Sequence, residues 1–219
     1  MHITVKNLLD IENSIKVYSE EINLNHYPKI IAVSKTFKID KILPLIDHGH
    51  IHYGENKVQE AAEKWTEIKK INSKIQLHMI GRLQTNKVKL AVQLFDYIHS
   101  VDSKKLAKKI ADEQLKLNKK TKIFLQVNIG DENQKSGINK NEVGQLVSFS
   151  EEIGLNVIGL MCIPPVNIDP ENYFVEMNKL NKDLGLAELS MGMSSDYLIA
   201  AKNFSTYVRL GSSIFGQRS

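Results

Sequence analysis

Short apolar runs alternate along the chain with longer segments in which apolar side chains recur at helical spacing. Within 103–120, for example, Leu106, Ile110 and Leu117 lie near one helix face, with lysines opposite. Ser103 can cap the N-terminus of that helix. Eight apolar runs predict β-strands: 30–34, 50–53, 77–81, 95–102, 122–129, 156–161, 188–193 and 207–211.

Eight strands, each separated from the next by room for a helix, favour a parallel sheet closed into a (β/α)8 barrel, the TIM barrel. The amphipathic segment 3–22 precedes the first strand and predicts an additional outer helix. No Pro/Gly/Ser linker divides the chain, so we expect one α/β domain over residues 1–219. An open doubly wound sheet is the alternative, but no G-x-G-x-x-G follows the first strand.

Composition narrows the function classes. The net charge is +4, from 29 basic and 25 acidic residues, and the lysine-rich run 104–122 lacks interleaved aromatics. Both features argue against a nucleic-acid partner. Polar residues every few positions near the N-terminus exclude a membrane span or signal peptide there. The one cysteine, Cys162, lies in an apolar run, which predicts a buried thiol and fits a reducing cytoplasm.

Lys35 is the first candidate for chemistry. It follows the apolar run 30–34 directly. In (β/α)8 barrels the loops after the strands build the active site, so the amine would lie at the mouth of the barrel. A solvated lysine in an ordinary loop is the alternative, and position alone does not separate the two.

Glycine and serine follow the last two predicted strands, in "SMGMSSD" (190–196) and "RLGSSIFG" (209–216). Barrels frequently bind phosphate at these two strand ends. Gly192 and Gly211 allow close approach of backbone N–H groups, while Ser194 and Ser212 offer hydroxyl donors. Asp196 is expected to cap the following helix and face away. The alternative is that both segments are only turns with helix caps.

An amine and a phosphate site at one barrel mouth suggest a phosphorylated aldehyde. Lysine amines condense with aldehydes to Schiff bases, and pyridoxal 5′-phosphate (PLP) is the commonest cofactor of this kind. Arg209 ends the eighth strand beside the phosphate loop. A guanidinium facing the pyridine nitrogen only donates, so it would leave that nitrogen unprotonated and weaken the ring as an electron sink.

Other polar clusters carry weaker predictions. If residues 50–53 form a strand, His50 and His52 share a face, as a metal site would need. No cysteine or carboxylate has matching spacing, so we predict no metal site and read these residues, with His48, as partly exposed polar histidines. Arg82 and Lys87, just past the third strand, could attract an anionic ligand.

Seven segments carry a family resemblance over residues 31 to 218. They are "AVSKTF", "YGENKVQEA", "HMIGRLQTNK", "NIGDENQKSG", "GLMCIPP", "LSMGMSSD" and "STYVRLGSSIFGQR". In this order and spacing they resemble the pyridoxal phosphate homeostasis proteins, a PLP-binding family related to the N-terminal barrel of alanine racemase. The resemblance implies a Schiff-base lysine, a donor to the pyridine nitrogen, two residues lining the pocket and three holding phosphate. The Schiff-base lysine is Lys35 and the donor is Arg209; Asn56 and His78 line the pocket, and Ser194, Gly211 and Ser212 hold the phosphate. For His78 the alternative is a hydrogen-bonded residue inside the barrel mouth.

The chain departs from the family pattern at four positions. Tyr53 stands where the family usually has Phe, and Leu77 stands where an aromatic residue precedes "H-x-I-G". Ser212 replaces the more usual Thr but keeps the hydroxyl. Phe204 stands where Gly is common, which puts the geometry of that loop in question.

The resemblance is compatible with two functions, a PLP carrier and a PLP-dependent enzyme. Racemisation needs a second acid or base on the other face of the substrate. In alanine racemase an additional β-domain of the partner subunit supplies it, and we expect no such domain in this protein. We therefore expect a monomeric PLP carrier that serves PLP-dependent apoenzymes, with little or no catalysis. An amino-acid racemase is the alternative, and a phosphosugar enzyme that uses a lysine imine is a third reading.

Overall fold

Eight parallel β-strands close into a barrel in the order in which they occur along the chain. The structure is a computed structural model that describes residues 1–132 and 134–217. The strands are β1 (Lys29–Val33), β2 (His52–Glu55), β3 (Gln76–Met79), β4 (Tyr97–Val101), β5 (Lys122–Val127), β6 (Asn156–Cys162), β7 (Glu188–Ser190) and β8 (Tyr207–Leu210).

Helices alternate with these strands, and one helix precedes them. The helices are α1 (Ile3–Glu21), α2 (Ile39–Asp47), α3 (Val58–Ile71), α4 (Val88–Leu94), α5 (Lys104–Leu117), α6 (Val143–Glu152), α7 (Glu171–Asp183), α8 (Tyr197–Lys202) and α9 (Ser212–Phe215). Short 3-10 turns at Thr85–Lys87 and Lys140–Glu142 lead into α4 and α6. The predicted (β/α)8 barrel with an extra N-terminal helix is confirmed. None of the helices formed by the described residues is long and apolar enough to span a membrane.

All eight predicted strands exist, and their ends differ for local reasons. The second strand begins at His52 rather than at residue 50, because residues 48–51 belong to the turn after α2. The seventh ends at Ser190 rather than at 193, since Gly192 has a φ of +92° and leaves the extended conformation. Ser103 caps α5 as predicted, accepting a hydrogen bond from the backbone N–H of Leu106.

The pairing of β1 with β8 closes the barrel. Ile31 lies opposite Arg209, and Ala32 lies opposite Leu210. Because both strands run in the same direction, their carboxyl ends meet at one rim. The segment after β1 and the segment after β8 therefore become neighbours.

Side chains that point outward from the strands pack against the helices. Ala32, Leu77, Ile98 and Leu125 are fully buried in this layer, together with Trp65 of α3. Burial of such side chains contributes about 1.5–3 kcal/mol for each large one, which makes this layer the main source of stability.

α1 closes the outer layer near the chain ends. The side-chain amide of Asn7 donates to the backbone carbonyl of Ile214 in α9 at 2.9 Å. His26, in the segment after α1, contacts the carbonyl of Ser205 at 2.6 Å through Nε2. α1 is therefore fastened to the segments on both sides of β8.

The interior of the barrel is unusually polar. Branched aliphatic residues dominate most barrel interiors, whereas here an apolar cluster rich in aromatic rings surrounds a line of hydrogen-bonded side chains. The cluster is Ile31, Tyr97, Phe124, Met161 and Tyr207. The line runs from His52 Nδ1 to His78 Nε2 (3.0 Å), from His78 Nδ1 to His99 Nε2 (2.9 Å) and from His99 Nδ1 to Ser190 Oγ (2.9 Å).

Burial keeps these histidines neutral. Desolvation lowers the pKa of His78 and of His99 well below the ordinary value, and neighbouring His99 and Arg209, respectively, lower it further. For His50 and His52 desolvation lowers the pKa to about 4. An imidazolium in this interior would have lost most of its hydration.

We predict that the free energy of unfolding decreases as the pH falls below about 6.5, the pKa of an unfolded histidine. Below that pH the unfolded chain binds protons that the folded chain does not, so stability is fully present above it. Each of the fully buried pair, His78 and His99, should contribute a slope of up to ~1.4 kcal/mol per pH unit. Urea unfolding between about pH 7.5 and pH 5 measures this slope.

His78→Gln should reduce the slope by one histidine's share. Equal slopes in wild type and His78→Gln would show that His78 binds protons alike in the folded and unfolded states.

Candidate functional site

A cavity of about 590 Å³ opens at the carboxyl ends of the strands. Six of the seven predicted site residues line it: Lys35, Asn56, Ser194, Arg209, Gly211 and Ser212. Apolar side chains complete the wall, among them Val33, Ile80, Ile163 and Met193. The cavity thus combines an amine, a guanidinium and hydroxyl groups with apolar surface.

Lys35 lies on a strained segment just past β1. Its neighbour Thr36 has a φ of +68°, in the left-handed region that a β-branched residue rarely adopts. Such a conformation costs of order 1–3 kcal/mol and persists only where the surroundings impose it. Here the backbone N–H of Thr36 donates to the carboxylate of Glu60 in α3. This hydrogen bond helps to hold Thr36 in its strained conformation, and that conformation sets the direction in which the chain leaves the strand at Lys35.

A buried carboxylate anchors the same segment from below. Glu55 is fully buried and accepts hydrogen bonds from Ser34 Oγ (2.7 Å) and Trp65 Nε1 (2.9 Å). Lys64 pairs with it at 2.9 Å and also donates to the carbonyl of Ser34 at 2.8 Å. Removing one partner of such a pair would leave an uncompensated buried charge. Sequence reasoning missed this network, although Glu55 stands inside the quoted segment "YGENKVQEA".

Arg209 forms the inner wall of the cavity. It is buried, and it donates from one terminal nitrogen to Ser190 Oγ (2.7 Å) and from the other to the carbonyl of Cys162 (2.8 Å). No carboxylate among residues 1–132 and 134–217 forms an ion pair with it. Burial lowers the pKa of Arg209 from its ordinary value, and the guanidinium remains charged because that value is so high.

The two glycine/serine segments meet across the cavity. Ser212 Oγ donates to Ser194 Oγ at 3.2 Å. At Gly192, where φ is +92°, a Cβ would lie 2.5 Å from the Cβ of Ala200, so only glycine fits. Asp196 precedes α8, but its side chain accepts from the backbone N–H of Met193 at 2.5 Å rather than from the helix. The expected side-chain cap is therefore wrong, and the carboxylate braces the loop instead.

The predicted site residue His78 does not line this cavity. It lies fully buried in the barrel interior, stacked on Tyr97 at 4.1 Å between ring centroids. Its link to the cavity runs through His99, Ser190 and Arg209. His78 is thus a supporting residue beneath the site rather than part of its wall.

The remaining histidines lie toward the other end of the barrel or outside it. His48 is exposed at the end of α2, and His50 contacts the carbonyl of His52 at 2.9 Å from the turn before β2. Over the part of the chain that the structure describes, no group of three His, Cys, Asp or Glu side chains is arranged to hold a metal ion. Cys162 is buried, as predicted, and burial raises the pKa of its thiol to about 12.

A second cavity, of about 730 Å³, adjoins the first over β2, β3 and β4. Asn56 lines both cavities, whereas Arg82 and Lys87 line only this one. Any attraction of these two cations for an anion would therefore act at the neighbouring cavity.

The departures from the family pattern leave the first cavity intact. Tyr53 and Leu77 are buried in the layer between strands and helices, away from its wall. Phe204 has a φ of +64°, so it adopts the left-handed conformation in which glycine would be unstrained. The turn before β8 keeps its shape at a cost of roughly 1–2 kcal/mol.

Residues of the first cavity fit a flat, phosphorylated aromatic aldehyde. Apolar side chains can cover ring faces, Arg209 offers donors from the inner wall, and Lys35 supplies an amine at the rim. Ser194 and Ser212 supply donors for an anionic group.

Comparisons with known proteins agree with this geometry. The family model "Alanine racemase, N-terminal domain" matches residues 7–219. The pyridoxal phosphate homeostasis protein of Aquifex aeolicus is 36% identical over 200 residues, covering 87% of this chain and 87% of its own. PipY of Synechococcus elongatus PCC7942, solved with PLP bound, is 31% identical and superimposes with a TM-score of 0.80, covering 92% of this chain and 100% of PipY.

A more distant likeness concerns the fold alone. An alanine racemase of Clostridium difficile is 16% identical and has a TM-score of 0.75, covering 99% of this chain and 57% of the racemase. The chain belongs to the alanine racemase N-terminal domain family and, within it, to the pyridoxal phosphate homeostasis proteins.

Proposed function

We propose that this protein binds pyridoxal 5′-phosphate in the 590 Å³ cavity as a Schiff base with Lys35 and acts in intracellular PLP homeostasis, by buffering and delivering the cofactor. One observation carries the proposal. Lys35, Arg209 and the serines of both loops converge on a single cavity from opposite ends of the sequence, in a chain that belongs to this family.

Each lining residue has a defined task in this proposal. The amine of Lys35 condenses with the aldehyde, and one water molecule leaves. Ser194 and Ser212, with the backbone N–H groups around Gly211, hold the phosphate. Asn56 contacts the cofactor from the side shared with the neighbouring cavity.

Arg209 determines how the ring is used. Its guanidinium donates to the pyridine nitrogen and never protonates it, so the ring is a weak electron sink. The hydrogen bonds to Ser190 and to the carbonyl of Cys162 hold the guanidinium in one orientation. The site therefore suits retention of the cofactor better than carbanion chemistry.

The cavity wall also argues against a racemase. Racemisation needs proton-transferring groups on both faces of the substrate. Among the described residues that line the cavity, no His, Tyr, Cys, Asp or Glu stands opposite Lys35. We therefore propose a carrier rather than an enzyme, in agreement with relatives named for homeostasis and not for a reaction.

The proposal also covers domain organisation, oligomeric state, cellular compartment and partners. We propose that residues 1–219 act as one PLP-binding domain and as a monomer. We further propose that the protein works in the cytoplasm, where its free thiol at Cys162 would stay reduced, and that it passes the cofactor to PLP-dependent apoenzymes.

The first prediction of this proposal is that Lys35 carries the covalent bond. Borohydride reduction of the PLP-loaded protein should give a phosphopyridoxyl-modified peptide that contains Lys35, because among the described residues Lys35 is the one lysine that lines the cavity. Peptide mass mapping locates the label. Lys38→Arg is the matched control, since Lys38 is an exposed lysine just beyond, and it should leave labelling unchanged. A label found mainly on Lys38 or Lys57 would refute the assignment.

A second prediction concerns the phosphate loops. Ser212→Ala should weaken PLP binding by roughly 1–2 kcal/mol, the value of a hydrogen bond to a charged group. Ser213→Ala is the matched control, because Ser213 does not line the cavity. Equilibrium titration with PLP and with unphosphorylated pyridoxal separates the contributions. Pyridoxal should bind more weakly and should not respond to Ser212→Ala; an equal penalty for both ligands would exclude an anion site at these loops.

The third prediction is negligible turnover of free amino acids. PLP-loaded protein incubated with L-alanine in deuterated water should show racemisation far below the roughly 10 s⁻¹ typical of enzymes, because the cavity lacks a second proton-transferring group. Chiral analysis and deuterium incorporation at Cα measure it. Transfer of PLP to an apoenzyme should proceed in the same preparation. Racemisation near the enzymatic rate would favour the racemase instead.

A further inference from the structure

The buried guanidinium of Arg209 stands at one end of a hydrogen-bonded line that crosses the whole barrel interior. Arg209 donates to Ser190 Oγ at 2.7 Å, and the line continues through His99 and His78 to His52. Arg209 lies at the inner wall of the cavity, and His52 is the first residue of β2, at the opposite end of the barrel. The line therefore connects the floor of the barrel to its mouth.

The direction of the first bond follows from Arg209. A guanidinium only donates, so Ser190 Oγ must accept from it. The hydroxyl hydrogen of Ser190 then needs an acceptor, and His99 Nδ1 lies at 2.9 Å. If His99 carried its proton on Nδ1, that hydroxyl hydrogen would be buried without an acceptor, which is costly. His99 is therefore protonated on Nε2.

The tautomer of His99 determines those of His78 and His52. A neutral imidazole has one donor and one acceptor nitrogen. His99 Nε2–H donates to His78 Nδ1 at 2.9 Å, so His78 carries its proton on Nε2. His78 Nε2–H donates to His52 Nδ1 at 3.0 Å, so His52 is also protonated on Nε2. Every acceptor nitrogen faces the side of Arg209.

We propose that His99, His78 and His52 are positioning residues for Arg209, acting through Ser190 as a one-directional hydrogen-bond chain that stabilises the buried guanidinium and fixes its aim into the cavity. The three aligned imidazole dipoles present their negative ends toward a cation that has no paired carboxylate among the described residues. Aligned hydrogen bonds polarise one another in a low-dielectric interior, which strengthens the bond at the cation. The effect of this chain on the cofactor rests on the proposed function, whereas the direction of the chain does not.

The surroundings of His52 keep the far end neutral. Its ring packs edge-on against Tyr97 and Tyr207, and Lys29 and Lys122 lie over the rings of those two tyrosines. His50 is the neighbouring titratable group in the turn before β2.

Glu12 and Lys16 of α1 line a cavity of about 400 Å³ together with His50 and His52, and Glu188 lies 4.0 Å from Lys29. Among the described residues, no carboxylate forms a hydrogen bond or ion pair with His52. A proton added to His52 would make its Nδ1 a donor and force the three hydrogen bonds between His52 and Ser190 to reverse. His99 would then donate to Ser190, and the Ser190 hydroxyl would lose its acceptor.

The direct test measures the tautomer of each histidine. Cofactor-free protein labelled with nitrogen-15 at histidine should show, in long-range proton–nitrogen correlation spectra near neutral pH, protonated Nε2 and unprotonated Nδ1 at His52, His78 and His99. Substitution of each histidine in turn assigns the signals. Protonated Nδ1 at His78 or His99 would overturn the proposal.

Arg209→Leu tests whether Arg209 sets the direction. Without the guanidinium, Ser190 Oγ no longer has to accept from it; the hydroxyl hydrogen can turn into the space left behind and the oxygen can accept from His99 Nδ1, so His99 should populate both tautomers. Unchanged tautomers in Arg209→Leu would show that something other than Arg209 orders the chain.

A second pair of variants tests the link to the cavity. His99→Phe removes the acceptor for Ser190, whereas His99→Asn can keep an amide oxygen near the position of Nδ1. We expect PLP dissociation to become up to about tenfold more favourable in His99→Phe, the effect of one lost hydrogen bond between neutral groups. His99→Asn should recover most of that loss, and only His99→Phe should shift the pH titration of the bound chromophore's absorbance.

Phe124→Leu is the packing control. Phe124 stacks on His99 at 4.2 Å between ring centroids but makes none of the hydrogen bonds, so its substitution should lower stability and leave the chromophore titration unchanged. An equal shift in Phe124→Leu and His99→Phe would reduce the histidines to packing residues and refute the positioning role. If wild-type protein bound no PLP, the proposed function would be refuted. The tautomer measurement on cofactor-free protein would still test the direction of the hydrogen-bond chain.

Discussion

The pairing of β1 with β8 is the constraint on which the site depends. Lys35 follows the first strand, whereas Arg209 lies in the last strand and Gly211 and Ser212 follow it directly, so the amine is distant in sequence from the other three residues. Register of Ile31 with Arg209 closes the barrel and brings both carboxyl ends to one rim. Parallel closure therefore creates the cavity, because without it the amine and the phosphate loop would belong to opposite edges of an open sheet.

Closure also creates an interior that must be filled, and this protein fills part of it with polar groups. Arg209 is a buried cation that pairs with no carboxylate within residues 1–132 and 134–217, and such a cation requires oriented dipoles around it. Ser190 and the carbonyl of Cys162 contact Arg209 directly, and the histidine chain extends this polar environment to the floor of the barrel. The aromatic residues around the chain, such as Tyr97 and Phe124, exclude water from it. The side chains in the interior thus stabilise the charge of Arg209 at the mouth of the barrel as well as filling the space.

Around Lys35 the backbone geometry depends on two features that are unfavourable in themselves. Thr36 holds a strained left-handed conformation, and Glu55 is a carboxylate held fully inside the protein. Both are compensated by contacts with α3, through Glu60 at the backbone of Thr36 and through Lys64 and Trp65 at Glu55. In the proposed function, this rigid attachment point delivers the amine of Lys35 to one place, beside an aldehyde held by the two glycine/serine segments.

The sequence by itself determined the fold class and most of the cavity wall. Alternating strand and helix periods are local signals, and barrel topology places every strand end at one rim, so Lys35, Ser194, Arg209 and Ser212 could be found without coordinates. The tertiary structure alone decided which polar side chains reach the cavity and which lie beneath it. The family resemblance implied that His78 lines the pocket, whereas it lies hydrogen-bonded in the interior, which is closer to the alternative for this residue. The contacts of His78 with His52 and His99 join three different strands, and no periodicity within one strand encodes the register between strands.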